Sequence, residues 1–181
     1  MTQPGRRGAA AALVLGLALH GAARAGDDAE RRAGDALSFA LPAATLGVEL
    51  WLGDRRGAWQ FAQSFGVTLL ATEALKRTAG VERPDRSNDQ SFPSGHAARA
   101  FAAATYVHRR HGFDSAWPLY LAATYVGYTR VQSGRHRWAD VAGAAGVAAA
   151  SSWWLVRPKA PGLSVVLEPR GVSVAWSLPL H

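Results

Sequence analysis

Apolar residues recur at helical spacing along most of the chain and at strand spacing only near its end. From Ala36 to Gly53 the sequence ALSFALPAATLGVELWLG is nearly free of charge. Residues 57–77 place Trp59, Phe61, Phe65, Leu69 and Leu70 with helical recurrence, interrupted by Gln60, Gln63 and Glu73. Both segments predict helices, and Pro42 marks either a kink or the start of the regular part of the first. Residues 78–93, rich in Gly, Pro, Asp, Ser and Asn, break the pattern. A third helix is predicted from Ser94 to about His108 through the Ala-rich stretch AARAFAAATYV. Arg109, Arg110, His111 and Gly112 give it a stop, with cations at the favourable carboxyl end. A fourth helix is predicted over 115–131, with Pro118 in its first turn, and a fifth over 138–156, ending before Pro158. Beyond it Val172, Val174, Trp176 and Leu178 alternate with Ser173, Ala175 and Ser177. Residues 163–168 precede them across Pro169-Arg170-Gly171, which predicts a short β-hairpin. The expected fold is all-α, a compact bundle of about five core helices with a short C-terminal β-hairpin.

A length of 181 residues suggests one domain, and apolar residues at 49% suffice for a sizeable core. Much of that content is Ala and Gly, which suits closely packed helices. There is no cysteine, which excludes a disulfide framework, a zinc-thiolate site and a thiol nucleophile. The net charge of +7 fits phosphate esters, anionic lipid or nucleic acid without choosing among them. Three of the cations, Arg6, Arg7 and Arg24, lie in the first 25 residues. There Arg6-Arg7, the apolar run 8–19 and Ala23-Arg24-Ala25 read as the parts of a secretory signal. The run is shorter than the ~20 residues that span a bilayer, so a cleaved leader is the first reading and an uncleaved anchor the alternative. The expected organisation is a leader over 1–25, a helical domain over 26–158 and a tail over 159–181. An exported address follows, periplasmic or at the inner membrane with a periplasm-facing site. The stretches 36–53, 115–128 and 141–156 are apolar, but none is a clean run of twenty, and buried bundle helices look much the same as inserted ones.

Three patches between Lys76 and Asp140 carry candidate chemistry. In the first, Lys76-x6-Arg83-Pro84, two cations on either side of a helix end can converge on different oxygens of one phosphate, although either alone reads first as solvated charge at a helix end. The second is Phe92-Pro93-Ser94-Gly95-His96 at a predicted helix start. Ser94 is a good N-cap, Gly95 allows close backbone approach, and the helix terminus presents free N–H groups to an anion that His96 can face. An ordinary Ser-capped helix with an incidental histidine fits the same residues. The third is Arg130-x5-His136-x3-Asp140. If its turn is helical, His136 and Asp140 share a face, and the carboxylate can fix the imidazole tautomer and leave the other nitrogen free to attack. A surface His–Asp pair beside Arg135 and Arg137 is the plainer alternative, and those two arginines read as solvated charges or lipid-headgroup contacts. Together the patches supply the positive charge, nucleophile and proton donor that a phosphate monoester requires.

In this order and spacing the patches resemble the type-2 phosphatidic acid phosphatase (PAP2-like) superfamily, which also holds bacterial acid phosphatases and vanadium haloperoxidases. Its pattern, K-x6-R-P, P-S-G-H and S-R-x5-H-x3-D, reads here as Lys76–Pro84, Pro93–His96 and Thr129–Asp140, over a resemblance covering about 36–156. Thr129 stands where the family usually has Ser and keeps a hydroxyl. The resemblance implies a helical bundle of the PAP2/haloperoxidase kind and a metal-independent phosphatase with no cofactor. His136 would be the nucleophile forming a phosphohistidine, Asp140 its orienting carboxylate, and His96 the acid for the leaving group. Lys76, Arg83, Arg130, Ser94 and the Gly95 N–H would hold the phosphoryl oxygens. The exported address and apolar helices favour a lipid phosphate or isoprenoid pyrophosphate over a small phosphate ester, with membrane association and no nucleic-acid partner. Two alternatives share these residues. One is a vanadium-dependent haloperoxidase, disfavoured because such members are generally much longer. The other is a non-catalytic protein that binds an anion or lipid phosphate.

Overall fold

The computed structural model describes residues 27–159 and, beyond them, the backbone of residues 163–168 and 171–176. The leader expected over 1–25 lies outside the described residues. Five helices follow one another: α1 Asp27–Trp51, α2 Arg55–Ala79, α3 Gly95–His111, α4 Phe113–Gln132 and α5 Trp138–Leu155. Four agree with the sequence reading within a few residues. The first begins nine residues earlier than Ala36, because the charged residues 27–35 are helical too. Asp27, Asp28 and Glu30 occupy its first turn, where acids suit the helix dipole, and Arg31 Nη2 pairs with Asp28 Oδ1 at 3.2 Å. The helix runs on through Pro42.

Local chemistry sets the other ends. Asp54 caps α2 by accepting from the Gly57 N–H at 2.8 Å, and Gly80 closes it in the left-handed conformation at φ 57°. Ser94 caps α3, as its hydroxyl predicted. Connections of a few residues join α1 to α2, α3 to α4 and α4 to α5, which turns each pair antiparallel. The central helix is α3, which packs against all four others. Ala97, Ala98, Ala100, Ala102, Ala103 and Ala104 are all buried along it, so neighbouring backbones approach closely around a helix with almost no side-chain bulk. Leu37, Leu41, Phe61, Tyr106, Val126 and Val141 fill the spaces between.

Among the described helices none is long and apolar enough to cross a membrane. The β-hairpin expected over 163–178 is not supported as part of the fold. The fold class rests on the five helices alone. Their alternation brings the start of α1, the end of α2, the start of α3, the end of α4 and the start of α5 to one end of the bundle.

Candidate active site

That shared end holds the three sequence patches. Ser94 is buried at the N-cap of α3, and its Oγ accepts from the Ala97 N–H at 3.5 Å. Its own N–H donates to the Asp140 carbonyl at 3.0 Å, so the second patch is pinned to the third. Ser91 strengthens the join by donating from Oγ to Asp140 Oδ2 at 2.6 Å. From α2, Lys76 Nζ donates to the Gln90 carbonyl at 3.1 Å, and its Cε would stand 3.7 Å from a β-carbon at Gly95. Lys76 therefore faces the opening turn of α3. Its pKa is lowered by burial and by the neighbouring charge of Arg83. Arg83 is steadied by the loop, its Nε donating to Asn88 Oδ1 at 2.8 Å.

The third patch differs in detail from the sequence reading. His136 is not in the helix, because Arg137 is the N-cap of α5 and Asp140 is the third helical residue, reaching back to accept from the Arg137 N–H at 2.8 Å. His136 Nδ1 and Asp140 Oδ2 lie 3.5 Å apart, an ion-pair distance at which Nδ1 makes no hydrogen bond. Asp140 Oδ2 is already shared by Ser91 and Arg137. Both residues are nonetheless deeply buried and side by side. Burial first, then the charges of Lys76 and Arg83, push the His136 pKa down to about 4, against Asp140, so the ring is neutral at ordinary pH.

Arg130 is buried at the end of α4, with its guanidinium bonded to Asp35, to the Arg31 carbonyl and to Thr129 Oγ1. His96 faces the same carboxylate, with Nε2 2.9 Å from Asp35 Oδ1. Burial and the charges of Arg99 and Arg130 lower the His96 pKa to about 4 as well. Lys76, Arg83, Ser94, Gly95, His96, Arg130, His136 and Asp140 thus come to one end of the bundle. No group of three or more His, Cys, Asp or Glu side chains placed to hold a metal occurs among the described residues.

Sequence reasoning passed over four contributors. Asp35 stands just ahead of the apolar run that begins at Ala36, with no motif around it. Ser91 carries no motif signal. Asn88 was absorbed into a loop, although it also accepts from the Gln90 N–H at 3.0 Å. Arg99 was legible, since it stands three residues after His96 on the same helix and shares its face. Its Nε is buried without a partner, and its guanidinium lies 4.4 Å from the Phe39 ring centre. Arg135 and Arg137, read as solvated or lipid-facing charges, serve the loop instead. Arg135 pairs with Asp85 at 3.4 Å, and Arg137 donates to the Glu82 carbonyl at 2.7 Å.

Comparison with known proteins agrees with this geometry. The chain is 36% identical over 90 residues to a lipid A 1-phosphatase of Porphyromonas gingivalis, a match covering 47% of this chain and 20% of that protein. It is 33% identical over 114 residues to a lipid A 4'-phosphatase of Helicobacter pylori, covering 57% of each. The chain therefore spans between a fifth and three-fifths of the length of these curated relatives. No solved structure matches it. The family model described as PAP2 superfamily matches residues 57–160, which include all three patches. With that match across more than half its length, the chain belongs to the PAP2 superfamily.

Proposed function

We propose that this protein is a phosphatase that removes a phosphate monoester from a lipid through a phosphohistidine on His136, without a metal. The observation that carries the reading is one end of the bundle where two imidazoles, both neutral at ordinary pH, stand among Lys76, Arg83, Arg99 and Arg130. Four fixed cations suit a dianionic tetrahedral group, and in phosphoryl transfer such positioning accounts for most of the catalysis. His136 Nδ1 faces Asp140, which leaves Nε2 to attack phosphorus. The bond from phosphorus to the leaving oxygen breaks while that oxygen takes a proton from His96. In the second step His96 accepts a proton from water, the water oxygen bonds to phosphorus, and the P–N bond to His136 breaks. The arriving dianion raises the His96 pKa and so charges the ring when it is needed.

A lipid substrate is supported by the names of the two relatives and by the distribution of charge. No Asp, Glu, Lys or Arg occurs in 36–48, 57–72, 115–129 or 141–156. At 1.5 Å per residue these make a belt roughly 20 Å tall between two charged ends. Phe39, Val67, Leu70 and Leu121 are exposed on it. Trp51, Trp59, Trp117, Trp153 and Trp154 are exposed toward the end opposite the site, and Trp138 at the site end. Uncharged flanks bounded by tryptophan suit a bilayer and its interfaces. We read residues 26–158 as the catalytic domain, exported behind the leader over 1–25, membrane-associated and facing the periplasm. The tail over 159–181 is an appendage to it.

The test is phosphate release from a panel holding lipid A, phosphatidate, undecaprenyl pyrophosphate and a soluble ester, in the presence of EDTA. A lipid phosphate is expected to be turned over, with at least a thousandfold loss in His136→Ala. Full activity of that variant refutes the nucleophile, and loss of wild-type activity in EDTA refutes metal independence. Retention of the protein in carbonate-washed membranes tests its location.

A further inference from the structure

The family match begins at residue 57, so it leaves α1 unaccounted for, yet α1 sends a carboxylate into the site. Asp35 Oδ1 accepts from Arg130 Nη1 at 2.7 Å and lies 2.9 Å from His96 Nε2. One oxygen therefore ties together groups from α3 and α4. The contact is built in, because α1 packs directly on these residues. A β-carbon at Gly34 would stand 2.0 Å from Thr129 Oγ1 and 3.1 Å from Arg130 Nη2. Only glycine permits that approach. Arg130 Nη2 also donates to the Arg31 carbonyl at 2.8 Å, so one side of its fork is fixed by the α1 backbone and side chain together.

We infer that Asp35 is a positioning residue for phosphoryl transfer, holding the His96 imidazole through Nε2–H in register with the Arg130 fork and favouring the charged ring. The inference rests on the phosphatase reading of the site. The groups acting on His96 are Asp35 of α1, Arg99 of α3, Arg130 of α4 and His136 ahead of α5. Lys76 of α2, Arg83 of the loop and Asp140 of α5 bear on His136 next to it. Burial, the two arginines and His136 all disfavour a proton on His96, and among these groups Asp35 alone favours it. With the Nε2 proton held against Asp35, the charged ring gives its other proton, on Nδ1, to the departing oxygen and becomes neutral. Asp35 keeps its contact with Nε2–H, so the imidazole stays in place while Nδ1 takes a proton from water.

The test compares Asp35→Asn, which removes charge at constant shape, with Asp35→Glu, which keeps it. Asn is expected to lower kcat at neutral pH by about ten- to a hundredfold. It should also move the basic limb of kcat/KM to lower pH by about one unit. KM should not rise, because the site becomes more cationic. The His96 ring resonances, followed by NMR without substrate, should titrate at correspondingly lower pH. Glu should leave the limb in place. If the Asn variant does not fold, Asp35→Ser takes its place in the same measurements. An unmoved limb with an unmoved His96 titration overturns the inference, as does a lowered Tm with no change in pH profile. A Glu variant whose limb moves as far as that of Asn also overturns it. The NMR titration needs no turnover, so its outcome is separable from failure of the phosphatase reading, which His136→Ala tests.

Discussion

The two ends of the bundle each bury a cluster of charge, and they resolve it in opposite ways. At the end away from the site, Arg110 Nη2 meets Asp54 Oδ2 at 2.6 Å, Lys159 Nζ meets the same oxygen at 3.0 Å, and His111 bonds Glu49. Gln60 Oε1 accepts from Arg110 at 3.1 Å, and the Arg157 carbonyl does likewise. Each of these groups has its partner in contact. Two atoms of the cluster, Glu49 Oε2 and Arg110 Nε, are left without a hydrogen-bond partner, are of opposite sign and both face Gly57, while Arg109 Nε and Tyr106 Oη are buried without partners near the same end. At the site end Lys76, Arg83, Arg99 and Arg130 outnumber Asp35 and Asp140, and the nitrogens left over are a guanidinium nitrogen of Arg99 and a ring nitrogen of His136. A buried cluster that closes on itself holds the fold together. One that leaves cations in excess suits an anion from outside.

The largest effects expected from that contrast come from removing one cation at each end. Lys76→Ala should cut kcat/KM about 10²- to 10³-fold, the usual loss for one donor to a developing anion. Its Tm should change little, because its one direct bond is to the Gln90 carbonyl. Arg110→Met should do the reverse. It leaves Asp54 and Gln60 buried without their main partner, at a cost of about 3–5 kcal/mol. Activity per folded molecule should be unchanged. Thermal unfolding and kinetics on both variants decide the matter, and equal effects on both properties at both ends would erase the distinction.

Gly57 gives a smaller effect confined to the paired end. A β-carbon there would lie 2.6 Å from both Arg110 Nε and Glu49 Oε2, and 3.0 Å from Asp54 Cγ, all side chains locked in the cluster. Gly57→Ala should therefore destabilise by about 1–3 kcal/mol, read as a lowered urea midpoint. Acid should separate the two ends by pH. His96 and His136 are both held near 4 from an ordinary 6.5, so the folded state binds fewer protons than the unfolded one between those values. Stability present at pH 7 is lost as pH falls from about 6.5 to about 4. Burial works against an ionised Asp54, but bonds from Arg110, Gly57 and Lys159 outweigh it and hold the carboxyl well below its usual range. Its contribution is lost only below about pH 4. Tm should decline in two stages, and His136→Asn should blunt the first alone.

The sequence made one end far more legible than the other. The site end is written in short motifs whose residue types have few other uses together, and helix periodicity set where each motif falls relative to a helix end. The paired end is built from Glu49, Asp54, Gln60, Arg110 and Lys159, scattered over four segments, each reading as an ordinary surface charge or amide. Only the antiparallel packing of α1, α2 and α3 makes them neighbours. Asp35 was hidden for the same reason, since its partners lie 61 and 95 residues further on and no local pattern relates a carboxylate to either. The start of α5 at residue 138 was legible, but the shared face of His136 and Asp140 hung on a helical turn before it. The capping interaction of Asp140 with the Arg137 N–H fills that turn, so the histidine precedes the helix.

The finest test concerns Thr129, where the family usually has Ser. Its Oγ1 donates to the Val126 carbonyl at 2.8 Å and accepts from Arg130 Nε at 3.3 Å and Nη2 at 3.2 Å. The hydroxyl therefore supports the guanidinium on the side that Asp35 does not reach. The same oxygen is what Gly34 packs against, so the space is set by the hydroxyl group. Thr129→Ser keeps that oxygen and deletes one methyl, which should leave kcat/KM within about twofold and stability within about 1 kcal/mol. Thr129→Val keeps the shape and deletes the oxygen, leaving the Arg130 fork with fewer fixed contacts. A loss of roughly tenfold in kcat/KM is expected there, the scale of one hydrogen bond to a charged group. If Val matches Ser, Arg130 is held by α1 alone, and the site end depends on Asp35 and Arg31 more heavily than its own motif does.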